Sequence, residues 1–282
     1  MTKENIDRLK KILELSEEEL FTFLKIKLSQ YYDKIIVKED MYIIADGQLP
    51  IGLIAHIDTV WSTSPMIIYD SEKEIMTGVH GLGADDRAGI FMILQLLEAG
   101  FRPSIIFTNG EECGGIGSLD LVKDYRKKEK FFTDLRCLIE LDRTGRCDSV
   151  YYQSSNSSYE KWINSFGFKT AKGTFTDISI IAPIWDVAAV NLSVGYYYEH
   201  CVNELLYIRF YEDTFNKMVK ILSSTELLPK NLGFSDAYQC LFCGKPFRKK
   251  SDIEPFTFVG EQVNSSNCCE KCYKLYFKSK SY

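Results

Sequence analysis

The chain lacks any apolar run approaching the roughly 18 residues that a membrane-spanning helix needs, so no helical membrane span is expected in it. Its first twenty residues, MTKENIDRLKKILELSEEEL, carry charge from the third position onward and contain no apolar core of the secretory kind. The expectation is a soluble protein of the cytoplasm with no membrane partner. Internal repeats and low-complexity segments are missing too, which removes solenoid architectures from consideration. Net charge is small, -5 over 282 residues, but it is unevenly spread: residues 237–282 hold eight Lys and Arg against four Asp and Glu. The body is therefore acidic and the tail basic, and an acidic body argues against nucleic acid as the main partner. Histidine is scarce, at three residues. Cysteine is not, at nine, yet a chain without a secretory signal meets a reducing compartment where thiols stay free. Disulfide scaffolding is thereby set aside.

What the chain has is core material. Apolar residues make up 45% and aromatics 13%, enough for one large domain, or one domain with an appendage. Two helical patterns open it, residues 4–14 and a second begun by Ser16 as N-cap. Short apolar runs then alternate with helical periods: KIIVKED, MYIIAD, IGLIAHI, MIIYD, PSIIFTN, LRCLIEL, SVYYQ and AAVNLSVG read as strands. DRAGIFMILQLLEAG, GIGSLDLVKDYRKK, SSYEKWINSFG and NELLYIRFYEDTFNKMVKILSS read as helices. Strands separated by helices predict an α/β fold, a three-layer sandwich around a mostly parallel sheet. The predicted domains are residues 1–230, with helices over 1–32 packed on them, and a small module at 237–282, joined through TELLPKNLGFSDAY.

Polar residues punctuate the strand ends. AHIDTV puts His56 and Asp58 at the exit of an apolar run, two residues apart and so on one face. HGLGADDRAGI follows with Asp85 and Asp86, IIFTNGEECGG with Glu111 and Glu112, LIELDRTG with Asp142, and VGYYYEHCVNE with His200. In an open α/β sheet these strand ends share one rim. So many carboxylates on one rim repel one another unless cations intervene. Imidazole plus carboxylate without thiolate suits Zn²⁺, with Co²⁺ or Mn²⁺ as substitutes. Asp86 reads as a turn residue, His80 as a loop residue, and Cys113, Cys137, Cys147 and Cys201 as buried or semi-buried small residues.

The order His-x-Asp, Asp, Glu-Glu, Asp, His resembles the co-catalytic two-zinc exopeptidase clan that includes aminopeptidases of the M28 type and M20 peptidases such as peptidase T. AHIDTV, GADDRAGI and EECGGIGS carry the likeness, which spans about residues 51–225. It implies that His56 and Asp142 bind one zinc, Glu112 and His200 the other, and that Asp85 bridges both. It also implies that Asp58 orients His56 and that Glu111 is the general base on the attacking water. The implied activity is that of a metallo-exopeptidase, an aminopeptidase first, acting on peptides. An N-acyl amino acid deacylase would use the same centre, and a non-catalytic partner-binding protein is the reading from another class. Lidded relatives insert a domain between the last Asp and His, but only 57 residues separate Asp142 from His200 here. GTFTDISIIAPIWD is then expected to line the pocket, with Asp177 as a candidate for the substrate amine.

The tail carries two Cys-x-x-Cys knuckles, CLFC (Cys240, Cys243) and CEKC (Cys269, Cys272), separated by 25 residues. Four thiolates at this spacing predict one structural zinc in a ribbon or treble clef, which would supply the stability that so small a core cannot. Such a module could also dock a protein partner.

Overall fold

The computed structural model describes residues 1–235 and, in the tail, 238–239, 246–247, 256–258, 261–263 and 271–272. Two compact units result, Met1–Phe234 and Ser235–Tyr282. The second shows two short antiparallel pairings, Tyr238–Gln239 with Pro246–Phe247 and Phe256–Phe258 with Glu261–Val263. Of the four knuckle cysteines, Cys240, Cys243 and Cys269 lie outside the described residues, and with them the expected four-thiolate site; Cys272 is buried.

In the first unit the elements run α1 (Lys3–Glu14), α2 (Glu17–Leu28), β1 (Ile35–Lys38), β2 (Tyr42–Ala45), β3 (Leu49–His56), β4 (Ile67–Asp70), β5 (Ile75–Gly78) and α3 (Ala84–Glu98). Then come β6 (Pro103–Thr108), α4 (Ile116–Asp124), β7 (Cys137–Arg143), β8 (Asp148–Val150), α5 (Ser157–Asn164), β9 (Lys169–Ala171) and α6 (Asp177–Trp185). The last are β10 (Ala188–Ser193), β11 (Tyr196–Tyr197), β12 (Leu205–Tyr207) and α7 (Ile208–Leu222). An eight-stranded sheet has the order β1-β2-β6-β3-β7-β10-β8-β9. Its centre, β6-β3-β7-β10, is parallel, while β1, β2 and β8 pair antiparallel at the flanks.

The period-2 pattern of the central strands explains the layering. Leu53 and Ala55 of β3, Ile105 and Phe107 of β6, and Ile139 and Leu141 of β7 face a core built with α1, α2, α3, α5 and α7. Their neighbours Ile54, Ile106 and Leu138 face a second core under α4 and α6. Strands buried on both faces need apolar residues throughout, and each such side chain contributes roughly 1.5–3 kcal/mol on burial. α2 begins as expected: Ser16 and Glu19 form a reciprocal capping box.

The segment expected to line the pocket, GTFTDISIIAPIWD, holds α6, with Pro183 inside the helix. One local expectation fails. NELLY is not helical at its start, because Leu205–Tyr207 pairs with β5 in a second sheet ordered β11-β12-β5-β4. The division between the two units, after Phe234, falls within TELLPKNLGFSDAY, whose earlier part is bonded to the first unit: the Ala188 amide donates to Leu232 O, and the Asn156 side chain to Gly233 O.

Candidate metal centre

The carboxyl ends of β3, β6, β7 and β10 open on one rim, and the polar residues that follow these strands meet there. His56 closes β3 and is buried. Its Nε2 lies 3.2 Å from Asp85 Oδ1 and 3.4 Å from Asp142 Oδ1. Its Nδ1 faces Asp58, 3.0 Å from the backbone oxygen and 3.4 Å from Oδ1. The Asp58 carboxylate is itself fixed, accepting the amides of Glu111 (3.1 Å) and Glu112 (3.0 Å). On the other side, His200 Nε2 lies 3.1 Å from Asp85 Oδ2 and 2.8 Å from Glu112 Oε1.

Two triads therefore form, His56–Asp85–Asp142 and Asp85–Glu112–His200, each with ligand atoms within 4.8 Å of one another. They share Asp85, one oxygen to each side. A third grouping, His56–Glu111–Glu112, overlaps them and sets Glu111 against the same centre. Three carboxylates and two imidazoles in two triads with one shared carboxylate are a donor set for a pair of divalent cations. No thiolate enters.

Electrostatics show how much these groups need a counter-charge. Burial, with the Asp85 carboxylate next, raises Asp142 to about 7. Burial raises Glu111 to about 8, the carboxylates of Asp142, Asp177 and Glu112 adding to it against the His56 charge. His200 rises to about 9, chiefly through its bond to Asp85. Asp85 moves the other way: burial opposes its charge, but the bonds from His200 and His56 outweigh it.

Several supporting residues carry no signal in the sequence. Glu204, wholly buried, accepts four N–H groups: Trp61 Nε1 at 3.2 Å and the amides of Leu82 (3.1 Å), Gly83 (2.7 Å) and Asp85 (3.1 Å). It holds the turn that presents Asp85. Gly83 in that turn sits at φ +69°, a conformation that favours glycine. Tyr196 donates its hydroxyl to Asp142 Oδ1 at 3.1 Å, and Thr176 Oγ1 bonds Asp142 Oδ2 at 2.9 Å. Glu140 is buried beneath Asp142 with neither oxygen hydrogen-bonded, and burial drives its pKa well up. These residues sit in apolar or unpatterned surroundings, where nothing in the local sequence separates them from ordinary core or loop positions.

Asp86 is buried, accepting the His56 amide at 3.3 Å and the Gly89 amide at 3.2 Å, so it does shape the turn. Two expectations require correction. Asp177 does not face the groove: it is fully buried, with one oxygen bonded to Ser118 Oγ and the other to Thr108 Oγ1, so it has no surface for a substrate amine. Cys113 and Cys201 are exposed, beside Glu112 and His200, rather than buried; Cys137 is buried and Cys147 half-buried. His80 lies exposed in a turn. Beside Glu112 a groove of about 430 Å³ runs along Asp58, Val60, Gly110, Cys113 and Ile116. Among the described residues, no helix is long and apolar enough to cross a membrane.

No protein-family model and no curated protein matches the sequence. Solved structures do. Aminopeptidase PepT from Bacillus cereus superposes with a TM-score of 0.64 at 13% identity, over 79% of this chain and 98% of that one. A tripeptidase from Staphylococcus aureus gives 0.62 at 14% identity, over 78% and 97%. An aminopeptidase from the archaeon Desulfurococcus kamchatkensis gives 0.55 at 13%, over 80% and 94%. At such identities the likeness is one of fold: this chain has the mixed α/β fold, with a mostly parallel central sheet, that these peptidases share.

Proposed function

We propose that the chain is a metal-dependent exopeptidase, an aminopeptidase that hydrolyses the N-terminal bond of peptides. The observation that carries this reading is the pair of triads sharing Asp85, with Glu111 against both. His56, Asp85 and Asp142 would hold one divalent cation, and Asp85, Glu112 and His200 a second; the donor set fits zinc, or cobalt or manganese in its place. Such a pair would supply Lewis acidity to the scissile carbonyl and lower the pKa of the attacking water.

The chain's own residues do the rest. Asp58 keeps the His56 ring in one orientation, holding Nδ1 so that Nε2 points at the centre. Through the amides of Glu111 and Glu112, the same carboxylate fixes the loop bearing the base. Glu111 takes the proton of the attacking water and passes it to the leaving amine, a role that suits a carboxylate whose environment raises its proton affinity. Tyr196 and Thr176 hold Asp142, and Glu204 holds the Asp85 turn, so that the centre is set before substrate arrives. In the tail, Cys240, Cys243, Cys269 and Cys272 are proposed to bind one structural zinc.

The test is a substrate panel on the zinc-loaded protein. Amino acid anilides and unblocked di- and tripeptides should turn over, and N-acetylated forms of the same substrates should not. Hydrolysis confined to N-acyl amino acids would replace the aminopeptidase reading with a deacylase, and turnover of neither class would end the catalytic one.

A further inference from the structure

An open pocket of about 570 Å³ lies between the loop after β7, the start of β9 and the second half of α7. It shares no lining residue with the groove at Glu112 or with the two triads. Four cations line it, Arg146, Lys169, Lys217 and Lys220, against one carboxylate, Asp213. The first unit is acidic as a whole, so the pocket reverses its charge locally. Asp213 does not restore the balance, because its Oδ2 is engaged by Arg146 Nη2 at 3.2 Å. The side chains of Lys169 and Lys220 are exposed and make no hydrogen bond or ion pair among the described residues. Lys217 is half-buried: its Nζ lies 4.4 Å from the centre of the Phe168 ring and donates to Gly167 O at 3.3 Å. That leaves two of its three donors unused, and lost hydration draws its pKa below the usual lysine value.

Three ammonium groups that line one pocket without an anion among them repel one another, and a bound anion would relieve that repulsion. The kind of cation selects the kind of anion. A carboxylate is held best by the two parallel donors of a guanidinium, and the one guanidinium here is already taken by Asp213. Ammonium groups act as compact charges that can meet phosphate oxygens from several sides. A phosphate ester brings about two negative charges at neutral pH, which matches a cluster of cations better than a single carboxylate does. The wall is mostly polar, so it offers no bed for an acyl chain. We propose that this pocket binds a small, polar phosphorylated molecule, with the phosphate oxygens on Lys169, Lys217 and Lys220. The site is separate from the metal centre and stands whether or not the proposed peptidase activity does.

Cys147, half-buried in the wall, provides the readout. The zinc-loaded full chain is alkylated with iodoacetamide, an uncharged reagent, and the rate at each cysteine is followed by peptide mapping with and without inorganic pyrophosphate. Cys113 and Cys201, exposed beside Glu112 and His200, are the internal controls. Alkylation of Cys147 should slow about tenfold once pyrophosphate exceeds its Kd tenfold, since about a tenth of the sites then stay open, while Cys113 and Cys201 keep their rates. Sodium chloride at equal ionic strength should give no such protection. Lys169→Gln combined with Lys220→Gln removes two exposed charges without partners, so the fold is kept, and the pyrophosphate Kd should rise at least about tenfold. Calorimetry on the parent and the double variant asks the same question without a thiol. No binding at millimolar pyrophosphate would overturn the proposal, as would full affinity in the double variant. Protection confined to Cys113 and Cys201 would place the anion at the metal centre instead. Protection by a single-stranded oligonucleotide but not by pyrophosphate would replace the small phosphate with nucleic acid.

Discussion

Glu111 and Glu204 are both acidic side chains withdrawn from water near the same centre, and their partners give them opposite tasks. Glu204 has four N–H groups on it and holds backbone in place. Glu111 is half-buried among carboxylates, and burial with their charge raises its value to about 8 while no cation balances them; in the proposed mechanism a bound cation pair would restore its charged, proton-accepting form. Glu111→Gln should lower kcat by about 10²–10⁴, the usual worth of a general base, with metal content unchanged by elemental analysis. Undiminished turnover would remove Glu111 from that role. Glu204→Gln should cost roughly 2–3 kcal/mol in urea unfolding through weakened charge-assisted bonds, and metal affinity should fall with it, because the Asp85 turn is released.

The same cluster sets a pH dependence. Asp142 and Glu111 have folded values, about 7 and about 8, above their ordinary carboxylate values of 3.8 and 4.5. The stability linked to their protons is therefore fully present below about pH 4 and is lost as pH rises through 7 to 8. In chelator, the melting temperature should fall across that window; excess Zn²⁺ should flatten the fall, since cations replace the protons. A melting profile in chelator that rises toward pH 8 would contradict this assignment of charge.

At the scale of elements, the central strands were legible because apolar runs of four to eight residues admit few alternatives once helical periods separate them. The gathering of His56, Asp85, Glu111, Glu112, Asp142 and His200 was legible for a related reason: each directly follows such a run or a glycine-rich turn. α6 was not legible. Its sequence DISIIAPIW is apolar almost all round and contains Pro183, so neither periodicity nor propensity marks it. Its Asp177 looked like a pocket carboxylate because sequence conveys spacing but not burial. In the fold it receives the hydroxyls of Thr108 and Ser118, tying α6 to β6 and α4. Asp177→Ala should destabilise the protein by roughly 2–4 kcal/mol, since it orphans two buried hydroxyls and leaves a void, while KM for retained activity stays the same. A shifted KM with intact stability would restore Asp177 to the pocket. Gly89 makes a similar point about contact: a Cβ there would strike the Leu141 carbonyl and the Asp86 carboxylate, so Gly89→Ala should push α3 off β7 and lower metal affinity together with stability.

Across the whole molecule, the segment between Asp142 and His200 is occupied by β8, α5, β9, α6 and β10 of the sandwich and by β11 of the second sheet. No inserted lid domain is present there. Without a cover from this segment, turnover should depend little on peptide length beyond the first few residues, and a steep loss from tripeptides to decapeptides would point to another barrier. Protein purified without chelator should carry close to three zinc ions per chain, two at the rim and one at the four cysteines. One ion, unchanged on adding zinc, would leave the rim unable to hold metal.

The clamp at Glu204 also has a consequence in time. The residues that hold and complete the centre, Glu204 and His200, follow the Asp85 turn by more than a hundred positions, and β12 just beyond them pairs with β5 just before that turn. A ribosome therefore releases His56, Asp85 and Glu111 long before it releases the carboxylate that fastens the Asp85 turn and the second imidazole of the cluster. The nascent protein is born without a working centre, and cutting power would arrive only when synthesis of this unit is nearly done.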